Sequence, residues 1–202
     1  MRFDKIGGPG DNARFPHCGE TEHMRSHAIG IDLGGTFIKF GLLDAERQMV
    51  ARDELPTPTD GDWRAVIEQM VRGAEQLICD AGVGREGICG VGIGSPSPMD
   101  MDAGVIIALP NIPGMENCPL RDSVGEALQM PAVLENDANA AAYGEYVCGA
   151  GREATDMVML TLGTGVGGGV VLGGEVLHGA TNLAGEIGHM IVQPEGEHCG
   201  CG

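Results

Sequence analysis

Apolar residues recur at two different periods along this chain, and the alternation between them predicts an α/β architecture. Organised pattern begins at Ala28. The run from Ala28 to Asp32 reads as a buried strand, Phe37 to Leu43 follows a Gly34-Gly35 turn, and a third apolar-polar run lies near Met49 to Leu55. These three make a meander. Pro56 and Pro58 end it, and Asp60 is placed to cap a helix whose apolar positions Trp63, Val66, Ile67, Met70, Ala74, Leu77 and Ile78 fall at helical spacing. Gly82 and Gly84 stop that helix. A strand from Ile88 to Ile93 comes next, then a loop rich in Pro and Gly between Ser95 and Pro119. A helix around Leu120 to Met130, a short strand from Ala132 to Leu134 and a helix beginning at Asn136 or Asp137 complete the run.

After Gly149 the pattern resets. Met157 to Leu162 is again a strand, interrupted by Gly163 and Gly165 and followed by the apolar run Val166 to Leu172. The first strand ends in Asp-Leu-Gly-Gly-Thr (Asp32 to Thr36) and the later one in Thr-Leu-Gly-Thr-Gly (Thr161 to Gly165), so a similar turn recurs in a second lobe. Residues 1 to 27, with four basic and four acidic residues and no hydrophobic period, read as an N-terminal extension without order. Met24 is a candidate for the true start, with Met1 the alternative.

Composition narrows the classes. The 202 residues are 43% hydrophobic and 20% charged, enough to bury a core, and no stretch reaches the roughly 18 apolar residues of a membrane span. Residues 1 to 27 show neither the apolar stretch nor the cleavage site of a secretion signal, and a soluble, cytoplasmic protein is expected. Twelve Lys and Arg against 29 Asp and Glu give a formal charge of −17, and no Lys or Arg occurs from Glu153 onward, which argues against nucleic acid as a partner. Seven cysteines, an odd number with five of them singly spaced, do not suggest a secreted disulfide framework. Glycine is 35 of 202, so backbone must approach something closely in several places.

The chemistry lies in the turns. Gly34 and Gly35 permit positive φ and uncover backbone N–H groups, so a phosphate can sit against them with Thr36 and Lys39 nearby; a plain hairpin turn fits the same residues. The second turn, at Gly163, Thr164 and Gly165, opens six glycines in eleven residues, and a pair of such turns suggests two lobes closing on one nucleotide. Asp137 stands at a strand-to-helix junction among Ala138, Ala140, Ala141 and Ala142, as a crevice at a strand's carboxyl end requires; a helix cap by Asn136 or Asp137 is the plainer alternative. Glu186 and His189 lie three residues apart and can converge on a polar ligand. Cys199 and Cys201 are too close for a comfortable disulfide but suit two thiolate ligands of zinc with His189 as a third; a reduced surface turn is the alternative.

The strings DLGGT (Asp32 to Thr36), ENDANAAAYGE (Glu135 to Glu145), LTLGTGVGGG (Leu160 to Gly169), GEIGH (Gly185 to His189) and CGCG (Cys199 to Gly202) stand in one order and spacing that resembles the ROK family of bacterial sugar kinases and repressors, most closely its ATP-dependent glucokinases. The resemblance runs from residue 28 to 202. It implies an actin-like, ribonuclease H-like fold of two α/β lobes, with residues 28–145 as the small lobe and 146–202 as the beginning of a large lobe carrying a zinc-binding segment. It further implies ATP with Mg2+ and a hexose in the cleft, Asp137 as general base on the sugar 6-hydroxyl, and Asn136, Glu186 and His189 on other sugar hydroxyls. Gly34, Gly35, Thr36 and Lys39, with Gly163, Thr164 and Gly165, would surround the phosphates. His189, Cys199 and Cys201 would be three of four structural Zn2+ ligands, and a homodimer is expected of the complete protein.

There are departures. The family usually has Pro-Gly in the sugar-proximal loop where this chain has Pro96-Ser97. Family members also continue past the position of Gly202, through a fourth zinc ligand and the adenosine-binding remainder of the large lobe. The chain is therefore expected to be a C-terminally truncated kinase that lacks full activity alone and exposes apolar surface. Rival expectations are a kinase for fructose, mannose or an N-acetylhexosamine, a sugar-responsive repressor of the same family, and an inactive fragment. The repressor needs a basic winged-helix domain ahead of the kinase-like part.

Overall fold

The computed structural model describes residues 26–163 and 165–198. The N-terminal extension up to residue 25, Thr164, and Cys199 with Cys201 therefore lie outside the described residues. The meander forms as its pattern predicts: β1 (His27–Leu33), β2 (Phe37–Leu43) and β3 (Met49–Pro56). Helix α1 (Trp63–Ala81) follows, then β4 (Ile88–Ser95). The α1 cap is Asp62, not Asp60: the Arg64 N–H donates to its carboxylate at 2.8 Å, two residues nearer the first apolar position. At the other end Gly82 takes the left-handed conformation and its N–H closes on the carbonyls of Ile78 and Cys79.

The Pro- and Gly-rich stretch between Ser95 and Pro119 is not a plain loop. It folds into a three-stranded antiparallel flap, β5 (Met99–Asp100), β6 (Val105–Ala108) and β7 (Glu116–Cys118), around buried Met101, Ile106, Leu109, Ile112, Met115 and Cys118. Strands of two to four residues carry too few positions for a period of two to show. Arg121, near the start of α2 (Leu120–Leu128), fastens the flap by donating to the carbonyls of Met101, Asp102 and Ala103. Strand β8 (Ala132–Asn136) runs directly into α3 (Asp137–Cys148). The chain then forms the hairpin β9 (Asp156–Leu162) and β10 (Val166–Leu172), with β11 (Glu175–Val176) and a 3-10 turn at Ile187–His189.

The main sheet has the order β3-β2-β1-β4-β8, with β4 parallel to both β1 and β8. Three carboxyl ends therefore share one edge, the place where open α/β sheets bind ligands. Alternate residues of β1 and β2 (Ile29, Ile31, Leu33, Ile38, Phe40 and Leu42) are buried, as are Val66, Met70, Ala74 and Leu77 of α1. Burial of each of these side chains other than Ala74 contributes about 1.5–3 kcal/mol. Phe40 meets α1 at Gly73, where a Cβ would lie 2.2 Å from the ring, so no larger residue fits this crossing. The second sheet has the order β11-β10-β9, and α3, which starts at the edge of the main sheet, packs on β10. The boundary between residues 145 and 146 suggested by the sequence lies within α3. Val158, Leu160 and Leu162 of β9, and Ile191 and Val192 beyond the 3-10 turn, are exposed. Among the described residues no helix is long and apolar enough to cross a membrane.

Candidate active site

Register brings the chemistry to one level of the main sheet. Asp32 of β1 lies opposite Gly94 of β4, Gly94 lies opposite Glu135 of β8, and Ser95 lies opposite Asn136. Gly94 lies directly under the head of α3, where a Cβ would stand 3.7 Å from the Asp137 Cα, in ordinary contact. Asn136 caps α3, its Oδ1 accepting the Asn139 N–H at 3.1 Å, so the plainer reading of the junction holds for Asn136. Asp137 is thereby the first residue of α3. Its exposed carboxylate accepts the Ala138 N–H at 2.8 Å and sits at the positive end of the helix dipole.

Asp32 faces Asp137 closely enough to feel its charge. Partial desolvation, the larger cause, and Asp137 both raise the Asp32 pKa, and they outweigh the opposing effect of Lys39, whose Nζ lies 3.9 Å from the Asp32 carboxylate. Lys39 thus stands cross-strand from Asp32 on β2. The turn after β1 is held by Thr57, whose hydroxyl donates to the Gly34 carbonyl at 2.7 Å and whose N–H donates to the Thr36 carbonyl at 2.9 Å. Neither Gly34 nor Gly35 takes the left-handed conformation anticipated for this turn. Glycine is needed at 34 because a Cβ would come within 2.7 Å of the Phe37 carbonyl, whereas at 35 Asn111 of the flap loop lies alongside.

The glycines of the second turn divide into two groups. A Cβ at Gly163 or Gly165 would meet nothing within 4 Å, so these two present open backbone. The run in β10 is packed on both faces: a Cβ would stand 3.2 Å from the Ala138 Cβ at Gly167 and 2.5 Å from the Ala142 Cβ at Gly169, and 2.7 Å from the Gly185 carbonyl at Gly168. Half of the glycine excess that suggested phosphate binding is therefore close packing of α3 and the Gly185–His189 segment against one strand. That segment turns at Gly185, with φ +90°, and places Glu186 and His189 side by side, 3.9 Å apart and both partly open to solvent.

Three residues not singled out from the sequence complete the arrangement. Glu135 is 3% exposed; its Oε1 accepts the Asn136 N–H at 3.0 Å and the Asn139 amide at 3.2 Å, while its Oε2 meets His178 Nε2 at 2.8 Å. His178 belongs to the connection between β11 and Glu186, closed on itself by the Ala184 N–H donating to the His178 carbonyl. Asn139 Oδ1 is a buried acceptor without a partner among the described residues and lies beside the Gly185 turn. Among the described residues no group of three His, Cys, Asp or Glu side chains is gathered for a metal.

This combination, a β-meander with parallel crossover strands, a carboxylate heading a helix over their carboxyl ends, and two glycine turns, is that of a sugar-kinase-type α/β fold. Residues 28–202 match the ROK family, and the chain belongs to it. It is 39% identical over 175 residues to the glucokinase of Halalkalibacterium halodurans, covering 86% of this chain and 53% of that one. It is also 39% identical over 176 residues to the N-acetylmannosamine kinase of Escherichia coli O157:H7, covering 86% and 57%. Among solved structures, the ROK hexokinase of Thermus thermophilus superposes with a TM-score of 0.78 at 43% identity, covering 87% of this chain and 57% of that one. The ROK glucokinase of Streptomyces griseus in complex with glucose and AMPPNP gives 0.74 at 36%, covering 87% and 54%. The fold is the actin-like ATPase fold of these enzymes, and the chain spans about half the length of the curated relatives it matches.

Proposed function

We propose that this chain carries the sugar and phosphate groups of an ATP-dependent hexose kinase that phosphorylates the 6-hydroxyl of glucose in the cytoplasm. The observation that carries the reading is Asp137: an exposed carboxylate at a helix head, over the shared edge of β1, β4 and β8, within electrostatic reach of Asp32. In the reaction the Asp137 carboxylate takes the hydroxyl proton as the sugar oxygen attacks the γ-phosphorus, and the bond to the bridging oxygen of ADP breaks. Asn136, Glu186 and His189 hold the remaining hydroxyls, each of which must be matched inside a closed site. The N–H groups of Gly34, Gly35, Gly163 and Gly165, with Thr36, Thr164 and Lys39, receive the phosphates.

Asp32, whose proton affinity is raised by partial burial and then by the charge of Asp137, suits a hard divalent cation, which takes one or two carboxylates together with phosphate oxygens. Asp32 is the residue that would hold Mg2+ here, and the ion would neutralise phosphate charge during transfer. His189, Cys199 and Cys201 would supply nitrogen and thiolate donors of the kind zinc accepts; Zn2+ there would fix the segment carrying Glu186 and His189 without entering the chemistry.

A second reading, a kinase for an N-acetylhexosamine, is supported by the equally similar N-acetylmannosamine kinase. ATP-dependent phosphorylation of glucose, fructose, mannose and N-acetylmannosamine by the native protein tests both readings. Glucose with the highest kcat/KM supports the first, preference for N-acetylmannosamine replaces it with the second, and no phosphorylation of any sugar overturns both.

A further inference from the structure

The hydrogen bonds around Asn136 have a direction that can be worked out from donors and acceptors alone. The Asn139 N–H can only donate, so the atom of the Asn136 amide facing it must be Oδ1. The amide nitrogen is then the atom facing Ser97, at 3.1 Å from its Oγ, and it too can only donate. The Ser97 oxygen is therefore engaged as an acceptor and its own O–H remains to donate. Ser97 is half-buried, at the root of the flap just beyond β4, and makes no other side-chain hydrogen bond among the described residues.

The result is a relay from the α3 backbone to Oδ1, from Nδ2 to Oγ, and from the serine hydroxyl outward. Its middle member, Asn136, directly precedes Asp137 in the chain. We propose that Ser97 is a specificity-determining residue of the sugar site: its hydroxyl, with the second Nδ2 proton of Asn136, donates to one sugar oxygen next to the alcohol that Asp137 deprotonates. This rests on the sugar-kinase reading and adds the polarity of recognition. The pair offers two donors and one remaining Ser97 lone pair, so a sugar hydroxyl, which can accept and donate, fits that ring position and a sugar lacking it is disfavoured. A glycine at 97 has no hydroxyl to offer, and an amide held by the cap alone is left with two unmatched protons.

The test uses the native protein with Ser97→Ala and Ser97→Thr, and measures KM for glucose and for ATP together with turnover of a series of monodeoxyglucoses. Ser97→Ala is expected to raise the glucose KM about tenfold, the loss of one hydrogen bond in a closed site, with the ATP KM unchanged. Ser97→Thr, which keeps the hydroxyl, is expected within about threefold of wild type. One deoxyglucose should suffer a penalty with the wild type that disappears with Ser97→Ala. That coupling would not arise from a merely structural serine. Should Ser97→Ala fail to fold, Ser97→Gly carries the same comparison. A glucose KM within twofold of wild type in the hydroxyl-free variant, or deoxy penalties unchanged by it, overturns the proposal while leaving the kinase reading intact. A wild-type protein that phosphorylates no sugar overturns that reading first, and the proposal with it.

Discussion

Glu135 and His178, 43 residues apart in the chain, meet at 2.8 Å in the interior and join the end of β8 to the connection that leads to Glu186. Three donors converge on one carboxylate that is almost wholly buried. Glu135→Ala leaves the Asn136 N–H, the Asn139 amide and His178 without their acceptor, and should lower stability by about 3 kcal/mol in urea denaturation. His178→Ala removes a single partner whose side chain is 19% exposed, and should cost about 1 kcal/mol. Equal effects of the two substitutions would show that the carboxylate is not the hub.

The two groups of glycines respond differently to a methyl group. Gly169→Ala drives a Cβ to 2.5 Å from the Ala142 Cβ and 3.0 Å from the Ala138 carbonyl, so α3 must move, and a loss of about 2 kcal/mol is expected. Gly163→Ala and Gly165→Ala meet open space and should leave stability within about 0.5 kcal/mol. If these turns receive phosphate, the latter pair should nonetheless raise the KM for ATP. Thermal melts beside ATP kinetics separate the cases, and an unstable Gly163→Ala protein would contradict the packing described here.

Asp32 gives a pH dependence with a definite sign. Its pKa in the folded protein is raised above the ordinary 3.8, so the native state binds this proton more tightly than the unfolded chain does. Stability from this group is greatest below the ordinary carboxylate range and is lost as pH rises through the folded value. Asp32→Asn should therefore melt higher than wild type at neutral pH, with the gain shrinking to nothing on acidification through that range. The gain is limited because the carboxylate is 55% exposed. Lys39→Ala should push the Asp32 titration higher still, as read by carboxyl-carbon NMR. A downward shift would mean that Lys39 is not the opposing charge.

Much of this molecule is visible in local pattern. The runs at Phe37 to Leu43 and Val166 to Leu172 became strands with those bounds, the first alternating between a packed and an open face and the second a continuous apolar and glycine run between turns. The flap was hidden because its strands are two to four residues long among prolines and glycines; its core residues Ile106, Ile112 and Met115 carry no period. At the site, Asp137 could be found from its place between a strand and a run of alanines. Glu135 and His178 could not, since burying a carboxylate against an imidazole is a property of tertiary distance, and neither residue stands out in its own neighbourhood. Asp32 carried a signal in its place before Gly34, but its relation to Asp137 needed the parallel register of β1, β4 and β8. Glycine count alone overstated phosphate binding, because α3 crossing β10 requires the same residue as an anion does.

The proposed kinase reaction depends on Asp137 taking the proton of the sugar alcohol. The most direct measurement is kcat for ATP-dependent glucose phosphorylation by the native protein and by Asp137→Asn, with glucose affinity determined in parallel by calorimetry. Removal of the base should lower kcat by about 10² to 10⁴ while glucose still binds. Turnover close to wild type in Asp137→Asn would contradict the account.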